Sequence, residues 1–242
     1  NFIKEIEKIK QIYEKIFNHR KFTGRSGTMF SYEGIGSVYW HMVSKLLLAI
    51  QEIFFKCKTL NVPEKYVLNL GELYYKIRGG LSSAKTPYEY GAFPFDPYSH
   101  SPSHSGAQQP GMTGQVKEEI ITRYGELGCL VKNGNIIFDT SLLLLNEFLS
   151  KENYFLYYDL VSGQKTIKLK INQLAYTYCQ VPIVYSLSSS KNYIQINFKD
   201  KSKIISYSNF IDRDISFSIF NREAKVDKIY VNVFKKSLFN NR

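Results

Sequence analysis

Along FIKEIEKIKQIYEKIFNH, residues 2–19, apolar side chains recur every three or four positions: Ile3, Ile6, Ile9, Ile12 with Tyr13, and Ile16. Lys and Glu fill the gaps. That spacing predicts an amphipathic helix, and the Gly/Ser-rich TGRSG ends it. A second helix is predicted from near Gly36 through SVYWHMVSKLLLAIQEIFFKC. It is apolar around much of its circumference and is expected to be buried between neighbours. Pro63 suits the first position of a third helix, PEKYVLNLGELYYKI, which stops before Gly79-Gly80. Thr113 precedes a fourth, GQVKEEIITRYGEL, ended by Gly128.

The period then changes. CLVKNGNIIFD is two short apolar runs around Asn133-Gly134, a tight hairpin signal. From Tyr154 the pattern reads as strands: YFLYYDL, KTIKLKI, LAYTYCQVPIVYSL, YIQINF, KIISYS, ISFSIF and KIYVNVF. Turn residues such as SGQ and KDKS separate several of them. Helices followed by strands predict an α+β protein with segregated layers. Residues 1–150 form the helical region, with a hairpin at 129–139, and residues 151–242 an antiparallel β-sheet or sandwich module. No internal repeat is visible.

Residues 86–118 break both periods. They hold five of the seven prolines and two of the four histidines. A structureless stretch that long inside a compact chain is functional or disordered. Disordered segments are poor in aromatics, whereas this one carries Tyr88, Tyr90, Phe93, Phe95 and Tyr98. It reads as an ordered loop lining a site. Hydroxyls and amides beside flat rings, with few full charges, suit a neutral polyhydroxylated ligand such as a sugar.

Composition narrows the classes. The chain has 242 residues, 44% of them hydrophobic, enough for a real core. The net charge is +11, split as 17 − 14 = +3 over residues 1–150 and 15 − 7 = +8 over 151–242. Lysines in the second half alternate with apolar residues, as on the solvent face of a half-buried strand. That distribution argues against nucleic acid as a partner. No apolar run approaches the roughly 18 residues of a membrane span. Cys57, Cys129 and Cys179 are odd in number and far apart, which predicts buried free thiols and neither a disulfide framework nor a zinc site. The chain opens at Asn1 with no Met and no signal-peptide pattern. A piece of a longer protein is expected, with its upstream part as a partner. Free thiols favour the cytoplasm.

The candidate chemistry clusters around the loop. Glycoside chemistry needs two carboxylates across the scissile bond. Asp96, Glu89, Glu118 and Glu119 are the nearest ones in sequence. Glu118 and Glu119 point about 100° apart on a helix, so at most one faces a site. Glu33, in the glycine-flanked SYEGIG, is the other carboxylate able to reach a cavity, beside Tyr32, Trp40 and His41. His100 and His104 form HSPSH, but Pro102 rules out the helical geometry of metal-binding histidine pairs. They suit hydrogen bonds to hydroxyls or phosphate, and no metal is expected. Tyr98, Gln108, Gln109 and Gln115 complete the candidate substrate-binding set. Gly111 and Gly114 flank Thr113 where a helix begins, a place where backbone N–H groups hold an anion or a sugar oxygen.

The run TGQVKEEIITRYGELGCLVKNGNIIFDTSLL resembles the end of the catalytic domain in the cellobiose phosphorylase family of inverting phosphorylases. The loop GAQQPGMTGQVKEE is similar to a motif of bacterial relatives of these enzymes, and the strand-rich segment with QLAYTYCQVPIVYSL resembles their closing β-domain. The resemblance spans residues 86–200. It implies that the helices are part of an (α/α)6 toroid, a six-hairpin glycosidase scaffold. It also implies that Thr113 and Gly114 help to hold inorganic phosphate as a co-substrate, with His100 or His104 as the loop histidine, and that the general acid lies upstream. The expected activity is inversion at an anomeric carbon of an oligosaccharide, by phosphate or by water. In the hydrolase version Glu33 or Glu118 activates the water. The alternative is a non-catalytic carbohydrate-binding or interaction module. No organic cofactor is expected.

Overall fold

The computed structural model describes residues 2–17, 40–81, 113–189 and 193–239. The chain divides into two compact units, residues 1–122 and 123–242.

In the first unit the predicted helices form. Helix α1 is Phe2–Phe17, α2 is Trp40–Thr59 and α3 is Glu64–Arg78. Asn61, at φ 53, terminates α2 in the left-handed region, and the Val62 N–H reaches back 3.0 Å to the Cys57 carbonyl. That geometry satisfies carbonyls the last turn would otherwise leave open. Pro63 caps α3 from just outside it, since the ring supplies no N–H the helix would use. Helix α4, Thr113–Glu126, contains the boundary between the two units. Residues 114–118, where the expected loop and the expected fourth helix overlap, are helical. The expectation for α2 also changes. Ser44, Leu47, Ile50, Gln51 and Phe54 are buried, but Leu46 and Ile53 are about half exposed. Burial follows one stripe rather than the whole circumference. On α1, Ile3, Ile9 and Ile12 are exposed at 77%, 65% and 49%.

The second unit is built on strands. Strands β1 (Cys129–Lys132) and β2 (Asn135–Phe138) form the predicted hairpin, with Asn133 and Gly134 both at positive φ. That is the primed turn whose twist matches the strands it joins. By sequence the hairpin belongs with the helical region 1–150. It pairs instead with β9 (Phe210–Ile211) and so belongs to this unit. Strands β3 (Asn153–Asp159) and β4 (Gly163–Leu169) form a two-stranded ribbon.

A five-stranded sheet has the order β5-β6-β10-β7-β8, with β5 Gln173–Tyr178, β6 Val181–Ser188, β7 Tyr193–Phe198, β8 Lys203–Ser206 and β10 Val226–Phe234. The sheet is mixed rather than antiparallel throughout, because β10 runs parallel to β6. Its register aligns Ile183, Tyr185 and Leu187 with Ile229, Val231 and Val233, and Ile229 and Val231 in turn with Ile196 and Ile194. That shared face packs with Cys129, Ile136, Phe138, Ile211 and Ile219 to make the core.

Two of the expected strands resolve differently. LAYTYCQVPIVYSL is two strands, because Cys179 and Gln180 turn the chain at φ 47 and 66. ISFSIF is no strand but helix α5, Arg213–Phe220. Its alternation fits period two, yet Ile215 and Ile219 also fit the helical spacing of four. The Ser216 hydroxyl decides between them. It accepts from the Ile136 N–H at 3.0 Å and donates to the Ile211 carbonyl at 3.0 Å, bonds that dock the helix on the β2–β9 pair.

Candidate functional site

Helix α4 carries the two carboxylates of the expected set that lie among the described residues, Glu118 and Glu119. Glu118 is 8% exposed, and Glu119 beside it is half-buried, so Glu118 is the one of the pair that turns inward. Its Oε2 is buried without a hydrogen-bond partner among the described residues. One turn further along the same helix face lies Thr122. The Thr122 hydroxyl donates to the Glu118 and Glu119 carbonyls at 2.9 and 3.0 Å. The Thr122 carbonyl accepts from Gln51 Nε2 of α2 at 2.8 Å, and the same nitrogen donates to Tyr74 Oη of α3 at 3.2 Å. One buried amide therefore ties three helices together and fixes the depth of α4, and with it the position of Glu118. A buried side-chain bond of this kind is worth about 1 kcal/mol net, and more to break on one side only.

Two ion-pair networks of the second unit do work inside the fold. Asp159, at the end of β3, accepts from the Val161 and Ser162 N–H groups at 3.0 and 2.8 Å. Its other oxygen takes the Lys199 ammonium, with Lys165 at 3.6 Å. Burial raises the Asp159 pKa, but the Lys199 bond and the two turn N–H groups outweigh it and hold the carboxyl below its ordinary value. Lys199 lies 3.6 Å from Asp227 on β10, so the chain of charges ties the β3–β4 ribbon to the five-stranded sheet. Lys165, expected on a solvent face, serves this group. Arg123 makes a two-pronged bond to Glu147 at 2.8 and 2.7 Å and a third to Glu126 at 2.7 Å. The Glu147 bonds, against the opposing effect of burial, raise its pKa further.

The same unit holds a tyrosine cluster. Tyr185 Oη donates to the Leu127 carbonyl at 2.8 Å and shares a 2.8 Å bond with Tyr176 Oη, while Tyr124 Oη reaches the Thr177 carbonyl at 3.1 Å. Cys129 is buried among these rings, and burial pushes its thiol up to about 12. A thiol held neutral in this way is a packing group. All three cysteines are free, and Cys57 and Cys179 are half-buried rather than buried.

No protein-family model matches this chain, and no curated protein matches it.

Of the expected site, Glu33, Tyr32, Asp96, Tyr98, His100, His104, Gln108 and Gln109 lie outside the described residues. Trp40 and His41 fall in the first turn of α2, and Thr113, Gly114 and Gln115 in the first turn of α4, with side chains outside those described. Thr113 is the first helical residue rather than the one before it. Glu118 is thus a little over one turn from the Thr-Gly pair. Among the described residues, no cluster of three or more metal-ligating side chains occurs, and no helix is long and apolar enough to cross a membrane. Gln51, Tyr74 and Thr122 were missed in the sequence. The available signal was Gln51 itself, a polar residue on the apolar stripe of α2.

Proposed function

We propose that this chain is the C-terminal portion of an inverting glycoside phosphorylase or glycoside hydrolase acting on an oligosaccharide, with Glu118 facing the substrate. The observation that carries the reading is the buried Glu118 carboxylate with one oxygen unpartnered among the described residues. Buried polar groups are otherwise hydrogen-bonded, and an exception asks for a reason. Here the carboxylate stands on a helix whose N-terminus, at Thr113-Gly114, favours an anion such as phosphate. In the hydrolase version Glu118 takes a proton from the water that attacks the anomeric carbon. The leaving sugar oxygen is protonated by an acid from the upstream part. In the phosphorylase version phosphate attacks directly while Thr113, Gly114 and a loop histidine hold its charge.

The helical unit supports a place in a toroid of hairpins. Helices α2 and α3 are joined by a short turn, and Leu46 with Ile53 on α2 and Tyr66 with Leu73 on α3 form exposed apolar lines. Their seven-residue spacing, two helical turns, is what a further helix packs against. A cytoplasmic location belongs to the same proposal.

The test measures release of sugar 1-phosphate or free sugar from a panel of oligosaccharides by the whole protein, with and without inorganic phosphate. Glu118→Gln is expected to lower kcat by about 10²- to 10⁴-fold, the range of a lost acid–base group, with the circular dichroism spectrum unchanged. An unchanged rate in that variant removes Glu118 from the chemistry. Sugar binding with no turnover in either condition replaces the enzyme with a carbohydrate-binding module.

A further inference from the structure

The β3–β4 ribbon has two unlike faces. Strand pairing places Tyr154 opposite Lys168, Leu156 opposite Thr166 and Tyr158 opposite Gln164. Directly opposed residues share a face, and this one is open. Tyr154, Leu156 and Tyr158 are exposed at 69%, 55% and 64%, and Gln164, Thr166 and Lys168 are exposed with them. The reverse face carries Phe155, stacked on Tyr157 at 6.0 Å, together with buried Asp159 and Leu169. The tyrosine row is therefore not the edge of a core.

Its chemistry selects among occupants. Lys168, the charged group among these opposed pairs, is matched by Glu152 at 2.7 Å, and Lys170 acts on the same carboxylate. One lysine beyond the matched pair gives a polyanion little of the counterion release on which nucleic-acid binding rests. Two tyrosines and a leucine at these exposures offer roughly 350 Å², less than half the about 800 Å² per partner of a stable protein interface. What remains is a flat apolar strip bordered by a hydroxyl and an amide. A sugar ring is complementary to that arrangement: its C–H face is apolar and carries partial positive charge, while its equatorial hydroxyls need donors and acceptors at the rim. Tyr154 and Tyr158 are four residues apart, about 13 Å along a strand, so one pyranose cannot cover both.

We propose that the open face of the β3–β4 ribbon binds an extended, uncharged oligosaccharide or polysaccharide. Separate units of the glycan stack on Tyr154 and Tyr158, and Gln164 and Thr166 hydrogen-bond its hydroxyls. The site is separate from Glu118 and shares with the proposed activity only the class of ligand. It holds a chain, whatever chemistry the helical unit performs.

Affinity electrophoresis through gels containing hydroxyethyl cellulose, laminarin, soluble starch or xylan tests this with the whole protein. At least one of the four is expected to retard it. The double variant Tyr154→Ala/Tyr158→Ala is expected to weaken that binding at least tenfold, and Tyr154→Phe/Tyr158→Phe to retain it. These side chains lie outside the core, so circular dichroism should show all variants folded. Glu118→Gln should be retarded like the wild type, which separates this surface from the fate of the catalytic reading. The proposal is overturned if no polysaccharide retards the protein, or if the double alanine variant is retarded equally. It is also overturned if that variant instead loses binding to oligo(dT) or loses self-association in sedimentation velocity.

Discussion

Adding a methyl group at Gly128 should be among the most damaging single changes in the second unit, and its cost can be worked from the backbone. Gly128 sits at φ +73 between α4 and β1, and a Cβ there would meet the Asp139 carbonyl oxygen at 2.2 Å, its carbon at 2.5 Å and the Thr140 nitrogen at 2.8 Å. The left-handed conformation costs an alanine about 1–2 kcal/mol, of which about 0.5–1 returns through the stiffer unfolded chain. The backbone contact adds a second cost. Restoring van der Waals separation moves the Asp139 segment by about 1 Å. That strains the 2.8 Å bond from the Asp139 N–H to the Gly128 carbonyl and disturbs Cys129 and Phe138 in the core. Overpacking of this kind costs about 1–3 kcal/mol, for a total of about 3 kcal/mol.

Gly163 provides the control, because it has φ +72 and nothing within 4 Å of its added Cβ. Gly163→Ala should cost only the conformational part, about 1 kcal/mol. The pair should therefore differ by about 2 kcal/mol, or about 8 °C in Tm at roughly 4 °C per kcal/mol for a unit of this size. Near-ultraviolet circular dichroism of the Tyr124, Tyr176, Tyr178 and Tyr185 cluster reports melting of this unit. Equal melting temperatures for the two variants would refute the clash.

Two other expectations follow from buried polar groups. Asp159 has a folded pKa held below its unfolded value of about 3.9. Its contribution is therefore fully present above about pH 5 and is lost as pH falls below about 4 toward the folded pKa. Asp159→Asn should cost about 2 kcal/mol at neutral pH, as for a lost charged hydrogen bond. The gap to wild type in urea unfolding should close with acidification, and a gap that stays constant from pH 7 to about 3 would contradict the ion pair. Ser216→Ala should cost about 1–3 kcal/mol by stranding the Ile136 N–H. Phe217→Ala, at a side chain 60% exposed, should stay within about 0.5 kcal/mol, and the reverse order would mean that α5 docks through another face.

The candidate site was only partly legible in the chain. Adjacent glutamates on a helix must diverge, so it followed from geometry that one of Glu118 and Glu119 could turn inward. Which one did so depended on Thr122 meeting Gln51, residues separated by 71 positions. No local pattern carries that information. Asp159 carries no local signal for the same reason, since its partner Lys199 lies 40 residues away.

Local physics was enough for the helices of the first unit, for the Asn133-Gly134 hairpin and for most strands. Spacing of three and four, turn residues able to take positive φ, and the placing of Pro63 act within a few residues of one another. The sequence also determined the α+β class and the uneven charge. Tertiary structure decided what depends on distant partners: the parallel pairing of β10 with β6, the helix at Arg213–Phe220 and the two faces of the β3–β4 ribbon. An alternating run such as ISFSIF satisfies two periods at once. Only the backbone it docks against, Ile136 and Ile211, chooses between them, because a buried N–H must find an acceptor wherever the fold brings one.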